Sequence, residues 1–246
     1  MIDMEKAKKA FDKYVKDNYD LNNESIKKVY NHILNVSKLS RDIIKNSNIM
    51  LVDAEDLAEL IGLIHDIGSF KTINNNLDHV GEGLRILFDE KNIRKFISDA
   101  KYDEIIKSAI YNHNQLEVAP FVSDQEKLFI DVLRDADKID ILKTIAESNE
   151  VINQNEMINS EIINIIKSHK TISKNLITNK TEEGIYVLAY IFDIKYKYSF
   201  YNIEENSYLE KIAKRIHIDT NDTIRLIYNE IKTFITMKIG ERYHAE

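Results

Sequence analysis

The stretch LIGLIHDIGSF, residues 60–70, places two polar side chains at the end of an apolar run. His65 and Asp66 stand side by side there, and burying such groups is costly unless they are paired or bind a metal ion. The apolar spacing before them predicts a helix, for which Asp53 is the expected N-cap and Gly68 the expected left-handed end. We therefore place the pair in the last turn of a buried helix.

Four more side chains of the same chemistry lie on predicted helices or at their ends. Together with the His-Asp pair, the candidate metal ligands are His32, His65, Asp66, His79, His113 and Asp137. Imidazole and carboxylate ligands suit divalent ions that catalyse hydrolysis, and one carboxylate can bridge two ions. We expect Asp66 to be that bridge. One ion would be completed by His32, His65 and Asp137. The other two histidines would complete the second ion, or would instead contact a substrate phosphate as cations.

The remainder of the chain also predicts helices. Apolar residues recur at three- and four-residue spacing, and a single proline and six glycines provide few of the turns that a multi-stranded sheet needs. One of the later helices is expected over residues 184–200. The predicted fold class is all-α, a helical bundle with additional C-terminal helices. It forms a single domain over residues 1–246, with a metal-site core at about 22–150 and an extension at about 151–246.

The composition excludes several classes of protein. The 246 residues include no cysteine, which rules out disulfides and thiolate zinc sites. The N-terminus is charged and no apolar run reaches the length of a membrane span, so we expect a cytoplasmic protein without a membrane partner. The net charge of −7 opposes a stable complex with nucleic acid. A small phosphorylated partner remains compatible, since bound cations reverse the local potential.

The order of the ligands supports a family resemblance. The segments that carry it are VYNHILNVSKLS, LIGLIHDIGSF, LDHVGEGLRIL, AIYNHNQL and LRDADKIDIL. They resemble the HD superfamily of metal-dependent phosphohydrolases, most closely its bacterial members with an Asp-Ala-Asp-Lys helix. The resemblance implies an all-helical fold, a centre of two divalent ions (Mn, Fe, Mg, Co or Zn), and hydrolysis of a phosphate monoester or diester through a metal-activated water.

Details of the motifs narrow this resemblance. The superfamily's Ala-Asp pattern aligns with Ala136-Asp137, which favours Asp137 over Asp135 as the last ligand. Members that hydrolyse cyclic di-GMP carry a Gly-Tyr-Pro triplet that is missing here. Hydrolases of the stringent-response nucleotides have a Glu-Asp pair where this chain has Ser69-Phe70. A nucleotide or another small phosphorylated metabolite is therefore the expected substrate, with its identity open.

Two lysines are candidates for contact with phosphate. Lys138 lies inside the last motif, where we expect it to bind substrate and to act in catalysis together with Asp66. Lys71 follows the His-Asp motif and is a second candidate for substrate binding, although a solvated surface lysine is an equally good interpretation. Two other functions stay open: a di-iron oxygenase of the same superfamily, and a non-catalytic sensor of metal or nucleotide. A homodimer is a further possibility.

Overall fold

The computed structural model describes residues 2–73, 78–148 and 157–240. All regular structure assigned in these ranges is helical, which confirms the all-α fold class. The α-helices are α1 Met4–Asn18, α2 Glu24–Lys45, α3 Ala54–Ile64, α4 Ser69–Thr72, α5 His79–Leu84, α6 Ile93–Phe96, α7 Asp103–Asn112, α8 Asp124–Glu147, α9 Ser160–Lys167, α10 Lys180–Leu188, α11 Lys197–Glu205, α12 Tyr208–Arg215 and α13 Asp222–Gly240. None of the described helices combines the length and the apolar character that a membrane crossing requires.

The packing divides the chain into two units, Met1–Asp137 and Lys138–Glu246. The boundary between the units falls within α8, whereas the sequence placed the end of the metal-site core at about residue 150. The prediction of a single domain over the whole chain stays a prediction.

Helix α3 forms the centre of the first unit. It is buried on nearly every side, as expected for a helix that is apolar around most of its circumference. Helix α2 packs along it closely, because a β-carbon on Gly62 would lie 2.7 Å from the Cα atom of Ser37. Only glycine permits this approach, and the approach brings the middle of α2 beside the end of α3.

Both predictions for the ends of α3 are wrong: the side chain of Asp53 does not cap the helix, and Gly68 is not left-handed. Asp53 precedes the helix with φ of 60° and makes no side-chain capping bond; its carboxylate accepts a hydrogen bond from the Tyr102 hydroxyl at 2.9 Å instead. Gly68 has an ordinary right-handed φ of −70°. Glycine is required there for space, since a β-carbon would lie 2.1 Å from the carbonyl oxygen of His79.

The second unit contains α9 to α13, in which α13 packs against α9 and α11, and α12 packs against α10 and α11. The helix expected over residues 184–200 is wrong, since α10 ends at Leu188 and α11 begins at Lys197. A 3₁₀ turn over Ala189–Asp193 and an extended Ile194 separate them. This segment is rich in aromatic and β-branched residues, whose low helix propensity favours the break although the apolar periodicity continues.

Candidate metal centre

The structure brings the six predicted metal ligands together in the first unit. Each comes from a different helix or helix end, apart from the adjacent pair that follows α3. His32 lies within α2, His65 and Asp66 directly follow α3, His79 begins α5, His113 directly follows α7, and Asp137 lies within α8. Asp78 fixes the start of α5 by accepting hydrogen bonds from two backbone amides of its first turn, both at 3.0 Å.

The ligands form two overlapping groups that share one carboxylate. His32, His65 and Asp66 place one ligand atom each within 4.8 Å of one another. Asp66, His79 and His113 form a second group of the same kind. Asp66 is therefore the residue common to both groups, and its role as a bridge between two ions stays a prediction.

Asp137 extends the first group. Its Oδ1 atom lies 3.2 Å from Nε2 of His32 and 4.0 Å from Nε2 of His65. The Nε2 atom of His65 is 3.9 Å from Oδ1 of Asp66. Asp137 therefore lies beside both histidines of the first group, and its choice over Asp135 as the acidic ligand from α8 stays a prediction.

The second group is arranged around Oδ1 of Asp66. The Nε2 atoms of His79 and His113 lie 3.6 Å and 3.5 Å from this oxygen. The side-chain amide of Asn114 lies 3.5 Å from the same Nε2 atom of His79. One histidine of each group is buried, and the other is partly exposed: His65 and His113 are 0% and 3% exposed, whereas His32 and His79 are 22% and 34% exposed. We call the first two the inner histidines and the last two the rim histidines.

Backbone carbonyls orient both inner histidines. Nδ1 of His65 lies 2.8 Å from the carbonyl oxygen of Gly62, and Nδ1 of His113 lies 2.7 Å from that of Ile110. A carbonyl oxygen only accepts hydrogen bonds, so Nδ1 carries the proton in each ring. The lone pair of each Nε2 atom is consequently directed into the site, which is the tautomer that a metal ligand needs.

The buried polar atoms of the site fit a bound metal ion. Nε2 of His65 and Oδ1 of Asp66 are both buried and have no hydrogen-bond partner within the described part of the chain. Buried groups of this kind are normally satisfied, and a cation between them would satisfy both. Two ligands at about 2.1 Å from one ion are about 3.0–4.2 Å apart, and the separations of 3.2–4.0 Å lie in that range.

The charge states of the site also suit a cation. Burial lowers the pKa of His65 to about 4, so its imidazole is neutral at pH 7. Burial alone would raise the pKa of Asp66, but the surrounding imidazoles of His65, His113 and His79 hold it well below its usual range. Asp137 behaves in the same way, with contacts to the histidines lowering its pKa to about 2 against the effect of burial. The site thus presents two carboxylates and, at His65, a neutral imidazole.

Two residues that support the ligands were not recognised in the sequence. Ser69 donates a hydrogen bond to Oδ2 of Asp66 at 3.0 Å, which leaves Oδ1 directed toward the histidines. Arg134 is buried and donates to the backbone carbonyls of Asn112 and Gln115, on either side of His113. The three-residue spacing from Asp66 to Ser69 could have suggested the first contact, whereas the second joins residues about twenty positions apart and leaves no local signal.

The family comparison agrees with this geometry. A family model described as HD domain matches residues 29–194, which is two thirds of the chain. The chain belongs to the HD family. HD domains are all-helical and bind divalent metals, and the match contains all six candidate ligands of this HD domain. Searches of curated proteins and of solved structures found no match.

The two lysines proposed to bind substrate form ion pairs in the HD protein. Lys71 is half-exposed, and its ammonium lies 2.6 Å from Glu82. Lys138 is buried in the second unit, with its ammonium 2.8 Å from Asp193. The substrate-binding role of both lysines and the catalytic role of Lys138 stay predictions.

Proposed function

We propose that this HD protein is a metal-dependent phosphohydrolase that acts on a nucleotide or another small phosphorylated metabolite. The observation that carries the proposal is the pair of ligand groups that share Asp66, each with one inner and one rim histidine. Divalent ions held there would supply Lewis-acid stabilisation of phosphoryl oxygens and would make a bound water more acidic. Family membership supports hydrolysis as the class of reaction.

The position of each residue in the site suggests its role in metal and substrate binding. Asp66 and Asp137 provide the negative charge that retains cations, and the inner histidines fix the floor of the site. The partly exposed rim histidines mark the open side by which a phosphate group would enter. Lys71, half-exposed on α4, could exchange Glu82 for a substrate phosphate.

The expected substrate is small. A chain with a net charge of −7 has no general attraction for the extended phosphate backbone of a nucleic acid. A compact anionic group can still bind where cations locally reverse the potential. We therefore propose mononucleotides and phosphorylated metabolites as the class to be tested, and no stable complex with nucleic acid.

A metal and substrate screen tests this proposal. The full chain is stripped with a chelator, reloaded separately with Mn²⁺, Mg²⁺, Fe²⁺, Co²⁺ or Zn²⁺, and assayed for phosphate release from monoesters and for cleavage of diesters. We expect turnover that requires metal and that His65→Ala abolishes, while His217→Ala, outside the ligand set, retains it. Failure of every ion to support hydrolysis would reject the proposal. Oxygen-dependent turnover with iron would then indicate an oxygenase, and tight nucleotide binding without turnover would indicate a sensor.

A further inference from the structure

The C-terminal end of α7 is held by a buried arginine from α8. The last carbonyl groups of a helix have no partner within the helix, and α7 ends at Asn112, directly before His113. Nη1 of Arg134 donates to the carbonyl oxygens of Asn112 and Gln115, both at 2.6 Å, and lies 3.4 Å from that of His113. The arginine is only 3% exposed, so these contacts are shielded from water.

This clamp surrounds the backbone of a candidate metal ligand. The ring of His113 is oriented by the carbonyl of Ile110, which belongs to the last turn of α7. Arg134 connects that last turn of α7 to α8. On α8, Arg134 lies three residues before Asp137. The position of one ligand thus depends on a contact with the helix that carries another.

We propose that Arg134 is a positioning residue that sets the metal affinity of the group containing Asp66, His79 and His113. It holds the backbone on both sides of His113 and does not itself bind the metal. The first group receives His32 from α2 and His65 from the residue that directly follows α3, both outside this clamp, so its affinity depends less on Arg134. The inference rests on the metal centre of the proposed function, and it holds whether or not the protein hydrolyses phosphate.

The loop that follows His113 is built around the same clamp. The amide of Ala119 donates to Oδ1 of Asn112 at 2.8 Å, and the side-chain amide of Asn112 donates to the carbonyl of Ser108 at 2.9 Å. Asn112 therefore closes residues 113–119 onto the end of α7, and Arg134 fixes the carbonyl of the residue that closes it. Loss of the guanidinium should loosen this loop as well as His113.

The test measures metal binding by the full-length apo protein, without any assay of turnover. Co²⁺ is titrated into wild type, Arg134→Gln, Arg134→Lys and His113→Ala, followed by calorimetry and by the visible spectrum of bound cobalt. His113→Ala is expected to remove one binding step. Arg134→Gln is expected to weaken that same step by about 10–100-fold, the usual effect of losing a group that supports a ligand. Arg134→Lys, which keeps the charge without the planar fork, is expected to restore part of that affinity. Amide hydrogen exchange in residues 110–120 should be slowest in wild type, faster in Arg134→Lys and fastest in Arg134→Gln.

Arg94→Gln is the matched control. Arg94 also donates to a carbonyl at a helix end, that of Ile97 after α6, which carries no ligand. Its other partner, Asp103, begins α7 at the end opposite to His113. This variant is expected to bind Co²⁺ as wild type does. The proposal is overturned if Arg134→Gln retains the wild-type affinity and cobalt spectrum, or if Arg94→Gln lowers the affinity equally. If Arg134→Gln does not fold, the same comparison is made with Arg134→Lys, and wild-type binding by that variant with unchanged hydrogen exchange overturns the proposal.

Discussion

The inner and rim histidines differ in how the fold holds them, although both kinds belong to the same candidate metal centre. His65 and His113 are buried, and each is tied through Nδ1 to a carbonyl three residues earlier. His32 and His79 are partly exposed, and their Nε2 atoms lie near the carboxylates of Asp137 and Asp66. The fold thus fixes the tautomer of the inner pair before any ion arrives.

This difference assigns separate tasks to the two pairs. A preoriented ligand loses little conformational freedom on binding, so the inner histidines should contribute most of the affinity. The rim histidines stand where a substrate can reach the ions. Since each ligand group contains one residue of each kind, the comparison can be tested within each group separately.

The largest effect is expected where the two groups meet. Asp66→Asn removes the charge that both groups share, and the amide cannot replace it as a bridging anion. We expect the loss of both ions. This effect is greater than the decrease in metal affinity, about 10–100-fold, that is typical of losing a supporting contact. Metal content after dialysis measures it. Asp56→Asn, on α3 but outside the ligand set, is the control, and retention of both ions by Asp66→Asn would show that Asp66 is no bridge.

The next prediction compares the two histidines of the second group. His113→Ala should lower the metal affinity at least about tenfold more than His79→Ala, a difference of about 1.4 kcal/mol. The reason is that His113 is buried and oriented by Ile110, whereas His79 is 34% exposed at the start of α5. Calorimetric titration with Mn²⁺ measures both variants. Equal losses would mean that the fold does not favour the inner position.

A third prediction concerns the placement of a rim histidine by the backbone. In Gly68→Ala, the added β-carbon would lie 2.1 Å from the carbonyl oxygen of His79, so the start of α5 must move. Such overpacking costs about 1–3 kcal/mol, and we expect weaker metal binding in addition. Urea denaturation of the chelated protein measures the first effect and metal titration the second.

Gly83→Ala is the matched control for this change. The nearest atom to its added β-carbon is the backbone nitrogen of Gly68 at 3.5 Å, an ordinary contact. The variant should keep the wild-type stability or exceed it, because alanine favours a helix more than glycine does. Equal destabilisation by both substitutions would show that the contact between Gly68 and His79 is unimportant.

Much of the fold and of the ligand set could be predicted from the sequence. Apolar periodicity located the helices of the first unit, and the order of the histidines and aspartates identified the six residues that the structure brings together. These signals are local or follow the order of the chain. Asp66 also drew notice in the sequence as a carboxylate adjacent to a histidine within an apolar segment, and it is the residue that the two groups share.

Contacts that depend on packing were not predictable in the same way. Gly68 appeared to be a helix terminator because sequence shows the residue type but not the carbonyl of His79 that excludes a β-carbon. Asp53 appeared to be a cap, but Tyr102, forty-nine residues later, binds its carboxylate. The contacts of Arg134 likewise became visible only in the structure. Long-range backbone approach leaves no periodic pattern for sequence reasoning to detect.

The smallest predicted effect is a pH dependence that belongs to the inner pair. Burial lowers the pKa of His65 from 6.5 to about 4, so between these values the unfolded chain binds a proton that the folded chain does not. The stability of the chelated protein should therefore be greater near pH 6.5 and fall by about 1–2 kcal/mol at pH 5. Urea denaturation at the two pH values measures this change.

The other shifted groups of the site act outside this range of pH. Burial would lower the pKa of His113, but Asp66 and Asp137 raise it above its usual value, so its contribution is present at acid pH and is lost as the pH rises above 6.5. The pKa values of the two aspartates are lowered, so their contribution to stability is complete above about pH 4 and is lost only as the pH falls further. His65→Gln, which cannot take up a proton, should accordingly flatten the change between pH 5 and 6.5. A slope that persists in this variant would assign the proton to another group and would remove His65 from the comparison.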